Sequence, residues 1–260
     1  MIIDPGFSDM AMTLLLFAAV MWLSVREGLQ LEKSLAVATA RTVAQLALMG
    51  FVIEAIFRIN RWWVIVAALF LMLAYAAHAA LARMKNPVAG LYLPMWWGVF
   101  TGTIFTTAVV TGAVLKADPW WRPDVLLPLG GMVLGNAMTG GALAADRLRA
   151  EIVARKAEIE TLLMLGWDYK RAAAEARREA VRAALIPTLN SMMTVGLVHL
   201  PGIMVGQMLA GASPATAAKY QMVIMLMIAS AVTMTSVVFT SFALTRFFNP
   251  RHTLRREAIL

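Results

Sequence analysis

Four side chains set in apolar surroundings carry the donor atoms a metal ion would need: His199, Glu54, Met193 and Met204. Imidazole, carboxylate and thioether together suit a transition metal of intermediate softness such as Fe(II). His199 and Glu54 are also the groups that a proton relay would use. The plainer reading of His199 is a neutral ring hydrogen-bonded to a neighbouring helix. The chain holds 19 methionines, so most of them simply fill space.

His199, Met193 and Met204 lie in an uneven stretch, NSMMTVGLVHLPGIMVGQMLAG, residues 190–211, while Glu54 falls near the outer end of the second apolar run. Pro201 removes a backbone donor, while Gly196, Gly202 and Gly206 lower the cost of bending, so a helix here is expected to kink or break just after His199. Carbonyls freed at such a break can line a pathway through a membrane. Asn190 and Asn136 are polar points that could belong to the same pathway. If the helix stayed regular, Met193, Met204 and Met208 would fall within about 60° of one another.

The elements that must position these residues follow from composition. The chain is 60% hydrophobic over 260 residues, and its mean hydropathy is +0.72. Continuous apolar runs of this kind indicate an all-α integral membrane protein, because backbone groups in lipid must be satisfied within the segment. Runs near 9–25, 35–57, 62–82, 91–115, 123–145, 186–211 and 217–247 predict about seven transmembrane helices. The first follows MIIDPGFSD, which lacks the basic segment of a secretory signal, and is read as a retained span.

Basic residues favour alternate connections. Arg26, Lys33, Arg41, Arg83, Lys85, Arg246, Arg251, Arg255 and Arg256 fall on one side, against Arg58, Arg61, Lys116, Arg122 and Lys219 on the other. The positive-inside rule then predicts an N-out, C-in topology. The formal charge of +8 is accounted for by such connections and gives no reason to invoke nucleic acid. Cysteine is absent, which removes disulfides and thiolate chemistry. Paired tryptophans at 62 and 63, 96 and 97, and 120 and 121 sit near span ends as interfacial anchors.

One extended polar segment interrupts the apolar pattern, residues 146–185, rich in Ala, Glu, Arg and Leu. It predicts a helical hairpin on the cytoplasmic side, with Gly166 ending the first helix and Asp168 capping the second. Leu162, Leu163, Leu165 and Trp167 gather apolar surface at that corner. They suit either a plain connector or a docking element for a protein partner. The G-x-x-x-x-G-K-[ST] phosphate loop is absent, so any ATP used belongs to another polypeptide. In span five, Gly131 and Gly135 form G-x-x-x-G and, with Gly140 and Gly141, predict close helix packing.

The segments LPLGGMVLGNAM (127–138), RAALIPTLNSMMTVGLVHLPGIMVGQMLAG (182–211) and AAKYQMVIMLMIAS (217–230) resemble the Fet-type iron-export ABC transporter permeases, a group that includes plant aluminium-tolerance permeases. REGLQLEKSLAVATARTVAQLALMGFVIEAIF (26–57) fits as well, so the resemblance covers most of the chain. It implies a single transmembrane permease domain over 1–260 in the cell (inner) membrane, paired with a second copy of itself. A separate cytosolic ABC ATPase would bind the ATP, and this chain would bind no cofactor. Docking would fall on the 146–185 hairpin, where Glu160 and Gly166 match the start, though not the remainder, of an importer coupling motif. The implied cargo is Fe(II) leaving the cytoplasm, with a link to peroxide resistance, while plant relatives suggest a nucleotide sugar. A proton-coupled transporter using Glu54 and His199, and a membrane scaffold without transport, remain as alternatives from other classes.

Overall fold

The computed structural model describes residues 6–82, 84, 88–249 and 253–255. Arg83, Lys85, Arg251 and Arg256, used in the charge comparison, lie outside the described residues. Ten α-helices are described: α1 (Phe7–Arg26), α2 (Glu32–Ile59), α3 (Trp62–Ala82), α4 (Tyr92–Ala108), α5 (Pro123–Ala154), α6 (Lys156–Met164), α7 (Tyr169–Ala172), α8 (Ala174–Thr194), α9 (Gly202–Leu209) and α10 (Pro214–Phe247). A π-helical segment, Val109–Val114, continues α4.

Among the described residues five helical stretches, not seven, are long and apolar enough to cross a membrane: Glu32–Ile59, Trp62–Ala82, Tyr92–Val114, Pro123–Ala154 and Pro214–Phe247. The expectation of seven fails at two places for separate reasons. The described apolar part of α1, Leu15–Arg26, is too short to cross about 30 Å of hydrocarbon. The run at 186–211 is not one helix, because α8 stops at Thr194 and α9 has 8 residues. With that count overturned, the N-out, C-in assignment, which rested on seven crossings, falls as well.

The chain divides into two compact units, 1–59 and 60–260. In the first, α1 and α2 are joined by a turn in which Gly28 takes φ +63° and the Leu29 N–H returns to the Ser24 carbonyl. Ser24 Oγ donates to the Glu32 carboxylate at 2.8 Å, tying the end of α1 to the start of α2.

In the second unit α10 packs most extensively against α4, then against α5 and α8. Lipid tails are as apolar as leucine, so this association depends on close packing rather than on removal of water. Gly98 and Gly102, one turn apart on α4, supply the closeness. A Cβ on Gly98 would lie 2.8 Å from the Thr235 carbonyl oxygen, and one on Gly102 would lie 2.3 Å from Thr235 Oγ1 and 2.6 Å from the Ala231 carbonyl. Helix backbones therefore touch directly. Buried hydroxyls along the contact fold back on their own helices: Thr106 donates to Gly102, Ser236 to Val232 and Thr240 to Ser236, each at 2.7 Å.

The glycines of α5 divide between two roles. Gly130, Gly140 and Gly141 sit against Leu69, Val232 and Met95, at distances of 2.7, 2.6 and 2.7 Å for a hypothetical Cβ. Gly131 is looser, against Met72 at 3.1 Å, and Gly135 faces open space. The packing expected of Gly131 and Gly135 is therefore carried chiefly by their neighbours.

Candidate functional site

The polar segment after the membrane part of α5 is built as a corner of helices. α5 itself runs unbroken to Ala154, so the segment opens as an extension of that helix. Glu151 is buried there between two arginines, with Arg147 at 2.7 Å and Arg155 Nε at 2.9 Å. The hydrogen bond that Arg155 donates to Glu151 raises the pKa of its guanidinium. A buried carboxylate needs such pairing, since an uncompensated charge would be expensive.

At the corner, the Gly166 N–H bonds to the Leu163 carbonyl and the Trp167 N–H to the Leu162 carbonyl. Gly166 takes φ +87°. This is a Schellman ending, in which a left-handed glycine satisfies the last carbonyls of a helix. Asp168 then accepts from the Arg171 N–H at 2.7 Å and caps α7. Leu162 and Leu163 pack on the core of the second unit. Met164, Leu165 and Trp167 are exposed, as are Glu160 and Asp168. The apolar surface of the corner thus consists of Met164, Leu165 and Trp167, with Leu162 and Leu163 as its anchors.

α8 leaves this corner and the C-terminal part of α10 returns beside it. Arg177 of α8 donates to Thr240 of α10 at 3.3 Å, while Met192 of α8 shares a cavity with Gln221 and Met222 of α10. α8 and α10 therefore run antiparallel. Residues 195–200 interrupt the path with a tight turn: Gly196 takes φ +83°, and its N–H bonds to the His199 carbonyl at 2.9 Å. Pro201 is the N-cap of α9 and Gly202 its first residue. The break therefore precedes His199 rather than following it, because a left-handed glycine, not proline, ends α8.

The break opens a cavity of about 420 Å³. Its wall carries Met192 from α8, Met204 from α9, and Gln221, Met222 and Met225 from α10, with Gly196 at the turn. Among the described residues no acidic or basic side chain lines it. Gln221 is 5% exposed, and its Oε1 has no hydrogen-bond partner among the described residues. A smaller cavity of about 90 Å³ adjoins it, lined by Asn136, Thr139, Thr188 and Ser191. Met225 belongs to both walls. Oxygen donors thus collect on one side of Met225 and thioethers on the other.

Of the residues singled out in the sequence, Met204 and Gly196 line the larger cavity and Asn136 the smaller. Met193 is 79% exposed, and His199 and Asn190 are also exposed. His199 Nδ1 lies 3.5 Å from Thr194 Oγ1 across the turn. Glu54 is on α2 in the first unit and pairs with Arg58 at 2.6 Å. The break separates Met193 from Met204 and Met208, so these three do not form one helical face. Among the described residues, no three His, Asp or Glu side chains form a group that could hold a metal ion.

Sequence reasoning missed Met192, Gln221, Met222 and Met225. The available signal was the spacing of α10, where Gln221 and Met225 stand four residues apart and share a face.

Residues 7–248 match the model of the Uncharacterised protein family (UPF0014). The chain is 35% identical to the "UPF0014 membrane protein slr1647" of Synechocystis, over 97% of this chain and 98% of that one. It is 31% identical to the "Probable iron export permease protein FetB" of Escherichia coli, over 95% and 93%. It is 33% identical to "Protein ALUMINUM SENSITIVE 3" of Arabidopsis thaliana, over 94% and 88%. No solved structure matches. Five apolar helices of crossing length and end-to-end similarity to named membrane proteins lead to one conclusion: the chain is a multi-pass membrane protein and belongs to the UPF0014 family.

Proposed function

We propose that this chain is the membrane-spanning subunit of an ATP-driven exporter of metal ions, with Fe(II) as cargo. The observation that carries the reading is its similarity, over 95% of its length, to a protein named as a probable iron export permease. In this reading ATP is bound by a separate ATPase subunit, since this sequence carries no phosphate-binding loop.

In this reading the ATPase meets the corner formed by Glu160, Leu162, Leu163, Leu165, Gly166, Trp167 and Asp168. Cargo passes beside α8, where Asn136, Thr139 and Ser191 offer oxygen donors. The turn at Gly196, Pro201 and Gly202 is the hinge, since coupling needs an element with two arrangements. A second copy of the chain completes the transporter.

The test is gentle purification from the native membrane. An ATPase subunit that co-purifies, is released by Trp167→Asp and hydrolyses ATP faster with Fe(II) fulfils the reading. A chain that arrives alone and moves metal in liposomes without ATP overturns it. Within an intact complex, Pro201→Ala should uncouple ATP hydrolysis from transport, and undiminished transport by that variant would remove the hinge.

A further inference from the structure

We infer that the larger cavity is a binding site for a soft monovalent cation, of the class of Cu(I) and Ag(I), distinct from the Fe(II) cargo. The argument begins with the donors. Met192, Met204, Met222 and Met225 arrive from three helices at one wall. Thioether sulfur is a soft, polarizable ligand that favours Cu(I) over harder cations.

Charge decides between cations. Among the described residues no carboxylate, imidazole or basic group lines the cavity, so none of them compensates a second positive charge. Desolvation of an ion grows steeply with its charge, and a buried divalent ion needs anionic partners. A monovalent soft ion needs only polarizable neighbours. Gln221 also lines the cavity, as a neutral amide that adds no charge. The methionines thus give the occupant its chemistry, and the uncharged lining sets its charge.

The cavity is larger than one ion. Methionine has three rotatable bonds and adapts to irregular space, so the four side chains can close on a small guest. The inference does not rest on the exporter reading, since binding is measured on the chain alone.

The experiment is titration of the purified chain in detergent with Ag(I), a stand-in for Cu(I) that avoids redox chemistry, followed by isothermal calorimetry. With 19 methionines in the chain, selectivity has to come from variants. The double variant Met192→Leu, Met225→Leu should weaken the tightest Ag(I) site at least tenfold, while Met193→Leu, on an exposed residue outside the cavity, leaves it unchanged. Fe(II) at equal concentration should not displace Ag(I), and X-ray absorption on the Cu(I)-loaded chain should show sulfur neighbours. Wild-type Ag(I) affinity in the double variant would overturn the site, as would an equal loss in Met193→Leu. Displacement by Fe(II) would overturn the cation class, and a detergent or lipid tail found filling the cavity would overturn the ionic occupant. Leucine nearly conserves methionine's volume, and circular dichroism on each variant confirms that loss of binding is not loss of fold.

Discussion

The α4–α10 contact and the α8–α9–α10 region are built from similarly apolar sequence and differ in what lies between the helices. At Gly98 and Gly102 one backbone rests on another, with no room for a methyl group. Around Gly196 and Gly206 a Cβ would meet nothing within 4 Å, and a cavity of about 420 Å³ remains. Hydrophobicity does not distinguish the two. Shape does: small residues one turn apart close the first, whereas a broken helix and flexible methionines leave the second hollow.

The sharpest way to break this comparison is to add volume to each side. Gly102→Leu should prevent folding, and Gly102→Ala should lower stability by about 1–3 kcal/mol through overpacking, read as a drop in the thermal unfolding midpoint. Gly206→Ala should be neutral or stabilising by up to about 1 kcal/mol, because it gains helix propensity in open space. Equal losses in both would mean that the two regions are packed alike.

A smaller effect is expected at the turn. Gly196→Ala forces a left-handed residue to carry a Cβ and should cost about 1–2 kcal/mol. Gly196→Asn should recover part of that, since asparagine tolerates φ above zero. If alanine and asparagine behave identically in unfolding scans, the turn does not depend on Gly196.

At the corner, Asp168→Ala should cost about 1 kcal/mol of stability while Asp168→Asn keeps the cap. Limited proteolysis around residue 167 would report the same order, with the alanine variant cut fastest. Smallest of all is Met222→Leu. Its side chain is 64% exposed, and the change should fall within about 0.5 kcal/mol.

The corner was legible in the sequence because its signals are local. Gly166 and Asp168 each act on the few residues beside them, and the structure uses both in those roles. The helix break was legible in kind and misplaced by a few residues, since Pro201 is the louder signal and Gly196 the residue that adopts the left-handed conformation. Hydropathy counts apolar residues without registering helix continuity. It therefore merged α8 and α9 into one crossing and credited α1 with more apolar length than its described part has. The methionine cavity was hidden for a deeper reason. Met192 and Met225 are 33 positions apart, and only tertiary packing brings them to one wall. Gly98 and Gly102 spell the same G-x-x-x-G as Gly131 and Gly135, and sequence has no means of saying which copy faces a partner.

α5 spans 32 residues without interruption, about 48 Å of helix where a bilayer core needs about 30 Å. It therefore works as a stiff beam with its middle clamped in the bundle and its end held by the Glu151 pairings beyond. The path through α8 has no such continuity, because that helix ends at Thr194 and the turn at Gly196 follows it. If the proposed ATPase docks at the corner, a push delivered there would meet a continuous helix in α5 and a turn beyond α8. The difference in give between the two paths would then fall on the wall that Met225 shares between the two cavities.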